Sequence, residues 1–320
     1  MFEVLETARE VAGMSRHVRI NRKALVRFSE ELARIETPAP GWDSVHHFRG
    51  SEEETLAYLL VVDTVNFCFW PPAGGEKWEI SNGPVCCSGY YALAVSLKKA
   101  LKSGVPVTSA QFLASLSLDR LKGIFEGRGQ LQLIERRWDN LRELGRVLMD
   151  GYQGQAHNLV AEARGSAVEL TELLAGKLSS FRDVAFYQDK EVFFYKRAQL
   201  FAADLHVAFG GKGWGSFRDI ADLTAFADYK LPQVLRHLGV LEYAPELAEK
   251  IDRMVCLDPG SGEEVEIRAN TIWAVELIRQ EMGLVGRPLR AFEIDGILWH
   301  LGQQEVSRAK PYHRTVSIFY

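Results

Sequence analysis

Apolar residues recur at spacings of three and four along much of the chain, and the helices they predict are separated by short breaks rich in glycine or proline. The segment "NRKALVRFSEELARI" puts Leu25, Phe28, Leu32 and Ile35 on one face, which predicts an amphipathic helix stopped by "TPAPGW". The stretch "TLAYLLVVDTVNFCFWPP" alternates instead at Tyr58, Leu60 and Val62 and again at Phe67 and Phe69. It predicts a strand ended by Pro71 and Pro72. A second strand-like piece, "KWEISNGPVCCSG", is expected to pair with it around the "SNGP" turn.

From Tyr90 to about Leu174 the pattern is helical almost throughout. "YYALAVSLKKALKSG" closes on Gly104, "TSAQFLASLS" and "SLDRLKGIFEG" open on Ser or Thr caps, and Ile134, Trp138, Leu141, Leu144 and Leu148 keep helical spacing. "YQDKEVFFY" predicts a turn into a strand, followed by a helix through Leu200, Ala203 and Val207. "GGKGWG" at 210–215 lacks the P-loop pattern and follows a helix, so it is a flexible connection and not a phosphate cradle. The C-terminal third is helical after a short strand. A mainly α protein with a small β component results, as one compact domain or as two intimately packed lobes of about 1–180 and 181–320.

Composition narrows the function classes. The 38 Lys and Arg are scattered among 42 Asp and Glu, for a net charge of −4, so the clustered basic footprint of a nucleic-acid binder is missing. A small-molecule substrate is expected, with no polymeric nucleic acid. Glu3, Glu6, Arg9 and Glu10 interrupt the N-terminus and no run reaches the ~18 apolar residues of a membrane span, so a soluble, cytoplasmic protein without a membrane partner is expected. Cys68, Cys86, Cys87 and Cys256 show no CxxC spacing and are expected to be reduced and mostly buried. The histidines form no metal triad.

The stretch "TAFADYKLPQVLRHLGVL" concentrates the candidate chemistry. Pro232 suits a helix start, Leu231, Val234, Leu235 and Leu238 form the apolar face, and after "HLGVLEY" a further helix begins at "APELAEKIDRM". Helix, short glycine hairpin and helix follow one another, with Asp228 at the entry of the first. A carboxylate there is an N-cap, a partner of Lys230, or a stabiliser of the cation left when an N-glycosidic bond breaks.

The phrases "DTVNFCFW", "SGYYAL", "VPVTSA", "SFRDV", "FYKRAQL", "LTAFADYKLPQVLRHLGVL", "VEIRANTIWAVELIR" and "PYHR", in that order from about residue 60 to the C-terminus, resemble the queuosine 5′-phosphate N-glycosylase/hydrolase family, the queuosine salvage proteins. The first fifty residues match least. The resemblance implies a helix-hairpin-helix DNA-glycosylase-like architecture, release of queuine from queuosine 5′-monophosphate, and no cofactor or metal. It makes Asp228 the catalytic carboxylate, with Phe226 stacking on the base or packing under the sugar, Lys196 near the ribose phosphate or Asp228, and Asp295 accepting hydrogen bonds from the amine-bearing arm of queuine. Arg197 is an equal candidate for the phosphate. Asn66, Trp70, Ser88 and Tyr91 are candidates to line the base pocket, although an aromatic-rich strand also makes ordinary core. His313 and Arg314 are read as a structural tie-down, with "VSIFY" folding back as a strand. The alternatives are a glycosylase acting on a modified base in nucleic acid and a non-enzymatic helix-hairpin-helix binding module.

Overall fold

Asn21 accepts a hydrogen bond from the backbone N–H of Ala24 and thereby starts the amphipathic helix that the 25/28/32 spacing predicts. In the computed structural model, which describes residues 2–35, 42–72, 74–304 and 309–320, this helix is α2 (Arg22–Arg34), preceded by α1 (Glu3–Met14) and β1 (Val18–Ile20). Leu25, Phe28 and Leu32 are buried and Ile35 is exposed. Residues 37–41 of the expected stop "TPAPGW" lie outside the described residues.

Residues 52–64 form a helix, α3 (Glu52–Thr64), and not the expected strand. A capping box starts it: Ser51 Oγ accepts from Glu54 N at 3.2 Å while Glu54 Oε2 accepts from Ser51 N at 2.8 Å. From Thr55 to Thr64 every residue but Ala57 is buried. A helix covered on nearly all sides has no polar face, so its apolar run loses the 3.6 period and imitates a strand. The hairpin β2 (Glu79–Asn82) and β3 (Val85–Ser88) pairs with itself, Glu79 opposite Ser88, and not with 55–72.

The helical middle agrees with the caps. It comprises α4 (Tyr90–Lys102), α5 (Ala110–Ala114), α6 (Leu118–Ile124), α7 (Ile134–Tyr152), α8 (Ala156–Glu162) and α9 (Ala167–Lys177), with Ser109, Ser117 and Ser166 capping α5, α6 and α9. Gly145 lets α7 approach α5 so closely that a side chain there would strike the Ala114 backbone. The hairpin β4 (Val184–Tyr187) and β5 (Lys190–Phe193) leads into α10 (Lys196–Ala208). Residues 210–215 make a tight turn, with Gly215 against the Leu205 carbonyl.

Then come α11 (Lys230–His237), β6 (Leu241–Tyr243), α12 (Pro245–Asp252), α13 (Gly262–Leu284) and α14 (Ala291–Leu301). Gly239, at φ +73°, turns the chain between α11 and β6, and β6 pairs antiparallel with β1. The fold is mainly helical, with three two-stranded sheets among the described residues. One apolar core gathers α1, α3, α4 and α7 through α10; a second gathers α2 and α11 through α14. Helix α13 enters both, offering Val265, Ala269 and Ile272 to the first and Ile267, Val275 and Ile278 to the second.

The chain end folds back, but as a single bridge between Cys256 and Arg314, not as a strand. Its last side chain supplies the reason: Tyr320 is buried, its hydroxyl donates to Glu264 Oε1 at 2.8 Å, and its carbonyl accepts from Cys68 N at 2.9 Å. Beneath it Arg268 binds Asp183 bidentately at 2.9 and 2.6 Å, between the rings of Phe194 and Tyr320. All four cysteines are free, but only Cys68 and Cys87 are buried; Cys86 and Cys256 are exposed, contrary to expectation. No helix among the described residues is long and apolar enough to cross a membrane.

Candidate active site

Asp228 is 8% exposed at the entry of α11, where its Oδ1 accepts the backbone N–H groups of Lys230 at 2.7 Å and Leu231 at 3.0 Å. These are among the N–H groups that the first turn of a helix leaves unsatisfied, and they sit at the positive end of its dipole. The capping role is therefore real. Among the described residues no hydrogen bond reaches Oδ2, so one oxygen is anchored and the other is available.

Two residues earlier, the N–H of Phe226 donates to Asp295 Oδ2 at 2.7 Å, tying the loop before α11 to α14. Phe226 and Asp295 are both buried. Burial foremost, then the nearby Asp228 charge, hold the Asp295 carboxyl well above its ordinary pKa, against the opposing pull of the Phe226 N–H and Lys196.

Lys196 begins α10 and is 7% exposed; its backbone N–H donates to Asp183 Oδ2 at 3.3 Å, so the Asp183–Arg268 pair also sets this helix start. Its charge acts on Asp295, Asp63 and Asp204. Arg197 is not available to a phosphate. It is 1% exposed, and its guanidinium donates to the carbonyls of Asp63 at 2.7 Å, Thr64 at 2.6 Å and Ser180. A cation at the last carbonyls of α3 is the expected complement of that helix terminus.

Asn66 follows α3 and donates to Asp63 Oδ1 at 3.5 Å. Asp63 is fully buried, and its carboxyl is pushed well up by burial and then by Asp204; burial also raises Asp204, against Lys196. Asp63 is not evident from a strand reading of 55–72. A helical reading puts Asp63 in the last turn of a buried helix, where an unpaired acid is conspicuous.

Tyr91 stacks on His46 with ring centroids 4.2 Å apart and meets Trp299 edge-on at 5.5 Å; Tyr90 meets Trp299 at 6.0 Å. His47 Nε2 lies 3.3 Å from the Tyr90 hydroxyl, and burial brings its pKa down to about 4. Trp70 is buried with Phe67 and Cys68, against Tyr229 and Tyr312 and under Arg314 at 5.4 Å. Ser88 ends β3 opposite Glu79, and among the described residues no hydrogen bond joins it to the acidic group. Thus Asp228, Phe226, Asp295 and Lys196 come together, Asn66 joins them through Asp63, and Tyr91 and Trp70 stand in separate aromatic groups.

A surface cleft of about 700 Å³ opens elsewhere, between Glu3, Glu172, Asp222 and Thr224. Its Arg218 and Arg279 are already paired with Glu169 and Glu276, and Asp228 is not in its wall. No group of three or more His, Cys, Asp or Glu among the described residues is arranged to hold a metal ion.

A helix-anchored carboxylate beside a buried carboxyl, a buried lysine and a buried aromatic ring is an arrangement suited to bond cleavage in which positive charge develops. The chain belongs to the queuosine salvage protein family, whose model matches residues 46–320. It is 44% identical over 317 residues to the queuosine 5′-phosphate N-glycosylase/hydrolase of Sphaerobacter thermophilus, covering 99% of this chain and 97% of that one. The proteins of the same name from Mus musculus and Schizosaccharomyces pombe are 36% and 30% identical, covering 98% and 95% of this chain and 98% and 92% of theirs.

Proposed function

We propose that this protein hydrolyses the N-glycosidic bond of queuosine 5′-monophosphate, giving queuine and ribose 5-phosphate, with Asp228 as the catalytic carboxylate. One observation carries the assignment: Asp228 is fixed through Oδ1 by two helix N–H groups, while among the described residues no hydrogen bond reaches Oδ2. Breaking the bond leaves positive charge on the anomeric carbon and ring oxygen, and a carboxylate preorganised in a water-poor site stabilises it. The departing base leaves with the bonding pair and takes a proton, and the oxygen of one water ends on the sugar.

In this reading Phe226 packs on the base or under the sugar, Asp295 accepts from the protonated amine of the queuine arm, and Lys196 offsets the surrounding acids near the ribose phosphate. The succession of α11, the Gly239 turn and α12 supports a relationship to helix-hairpin-helix glycosylases. The net charge of −4 favours a nucleotide over a polymer as substrate.

Incubation with queuosine 5′-monophosphate, followed by chromatography and mass spectrometry for free queuine, tests the reading. Release by the wild type and not by Asp228→Asn is expected. Release from intact nucleic acid but not from the nucleotide overturns it.

A further inference from the structure

Asp228 ends a stretch of chain that has neither regular secondary structure nor much access to water. Residues 223–228 are all buried, and among the described residues no backbone–backbone hydrogen bond reaches 224–228. A buried backbone must still find partners for its N–H and C=O groups. Side chains from three helices provide them here. Gln199 of α10 accepts the N–H of Thr224 at 2.9 Å, Asp295 of α14 accepts that of Phe226 at 2.7 Å, and Arg268 of α13 donates through Nε to the carbonyl of Ala227 at 3.2 Å.

Two of these anchors lead back to Phe194. Gln199 is fully buried, and its Nε2 donates to the Phe194 carbonyl at 2.9 Å, so a single amide clamps Phe194 to Thr224. Arg268 is 2% exposed, with its guanidinium 3.9 Å from the centroid of the Phe194 ring and 4.3 Å from that of Tyr320. Its fork holds Asp183 at 2.9 and 2.6 Å, and the carbonyl of Asp183 accepts the N–H of Phe194 at 3.0 Å. A planar guanidinium can hold a carboxylate and a carbonyl at once in fixed directions, which an ammonium cannot do.

The same stretch is where the chain passes between the two cores. Leu223, Phe226 and Ala227 pack in the first with Phe194, whereas Ala225 and the apolar face of α11, Leu231, Val234 and Leu235, pack in the second. Asp228 therefore caps a helix of one core at the end of a segment gripped from the other. A slip between the cores would carry its carboxylate away from the bond to be broken, and a misplacement of about 1 Å is enough to lose roughly 100-fold in rate.

We propose that Arg268 and Gln199 are positioning residues of Asp228: they grip the backbone just ahead of it and so fix its carboxylate relative to the first core. This rests on the reading above that Asp228 is the catalytic carboxylate. Neither side chain acts on the substrate itself.

Amide hydrogen exchange on the full wild-type chain is the first test. A peptide covering 223–228 is expected to exchange as slowly as α13 despite having no backbone partner, and fast exchange there with α13 protected overturns the proposal. Arg268→Lys keeps a cation beside Asp183 but cannot hold Asp183 and the Ala227 carbonyl together. With an unchanged circular dichroism spectrum it is expected to lose about 10- to 100-fold in kcat on queuosine 5′-monophosphate, with KM within about 2-fold of wild type. Gln199→Met keeps the length of the side chain and alters no charge. It is expected to show the same split with a loss of about 10-fold, and it decides the matter if Arg268→Lys does not fold. Added to Asp228→Asn, either substitution is expected to lower the residual turnover by no more than about 2-fold, because the group being positioned is gone. A folded Arg268→Lys or Gln199→Met with wild-type kcat overturns the proposal, as does a loss that is equally large with Asn at 228. Full turnover in Asp228→Asn alone is a different failure: it removes the assignment of Asp228 to catalysis, whatever the two anchors do.

Discussion

The Oδ1 of Asp228 accepts the backbone N–H of Lys230 at 2.7 Å, so the residue assigned to catalysis is also the cap of α11. Asparagine caps helices as well as aspartate does but carries no charge, and the two roles separate by substitution. Asp228→Asn is expected to keep the wild-type melting temperature and to lose about 10²-fold or more in kcat, the scale of a lost electrostatic stabiliser. Asp228→Ala is expected to lose the same turnover and in addition about 1 kcal/mol of stability. Urea titrations beside single-turnover assays distinguish the two, and an Asn variant with wild-type turnover removes Asp228 from the mechanism.

Arg268 is buried between two rings with Asp183 as its bidentate partner. Truncating one member of such a pair strands the other charge in a low-dielectric interior, at a cost of roughly 3–5 kcal/mol. Asp183→Ala leaves Glu264 3.5 Å from the Arg268 guanidinium as a remaining partner, so a destabilisation toward the lower end of that range is expected in chemical denaturation. Because Asp183 also binds the N–H of Lys196, turnover should fall in whatever fraction remains folded.

The 5′-phosphate lies away from the bond that breaks, and binding energy gained there is useful only if it orients the sugar for reaction. Queuosine without the phosphate is therefore expected to show a kcat/KM at least about 10-fold lower. Equal values for nucleoside and nucleotide would show that the phosphate is not recognised.

His313 is buried, with Nε2 3.3 Å from the Tyr320 hydroxyl and Nδ1 without a hydrogen-bond partner among the described residues. Burial, with Arg268 adding repulsion, brings its pKa down to about 3 from an ordinary value of 6.5. Between those two values the unfolded chain binds the extra proton and the folded chain does not. The contribution of this neutral histidine is thus complete above pH 6.5 and is lost as the pH falls toward 3. His313→Gln is expected to flatten this part of the acid limb, with a difference from wild type on the order of a few kcal/mol across the window. Denaturation midpoints of both proteins at several pH values supply the check, and parallel curves would contradict it.

Local signals were sufficient wherever the physics is local. Asn21, Ser109, Ser117 and Ser166 each cap the next helix through their own side chains, and Gly239 takes the positive φ that the turn after α11 requires. The α11 entry with Asp228 was legible for the same reason, and the phrases around Phe226 and Asp295 held two residues that meet beside it, the Phe226 N–H donating to Asp295 Oδ2 at 2.7 Å. Helix α3 was not legible, because complete burial removes the polar face on which periodicity depends.

Partner choice is where the sequence stops. Lys196 and Arg197 are adjacent and chemically alike, but the charge of one acts on three buried acids while the other donates to the Asp63 and Thr64 carbonyls at the end of α3. Asp63 and Asp204 lie far apart in the chain, and the charge of one acts on the other only because α3 packs on α10. By itself the sequence determined most of the helices, their caps, the family, and the carboxylate at the start of α11. Only the tertiary structure decided which buried charges have partners, since desolvation and pairing depend on what another segment brings to the same few ångströms.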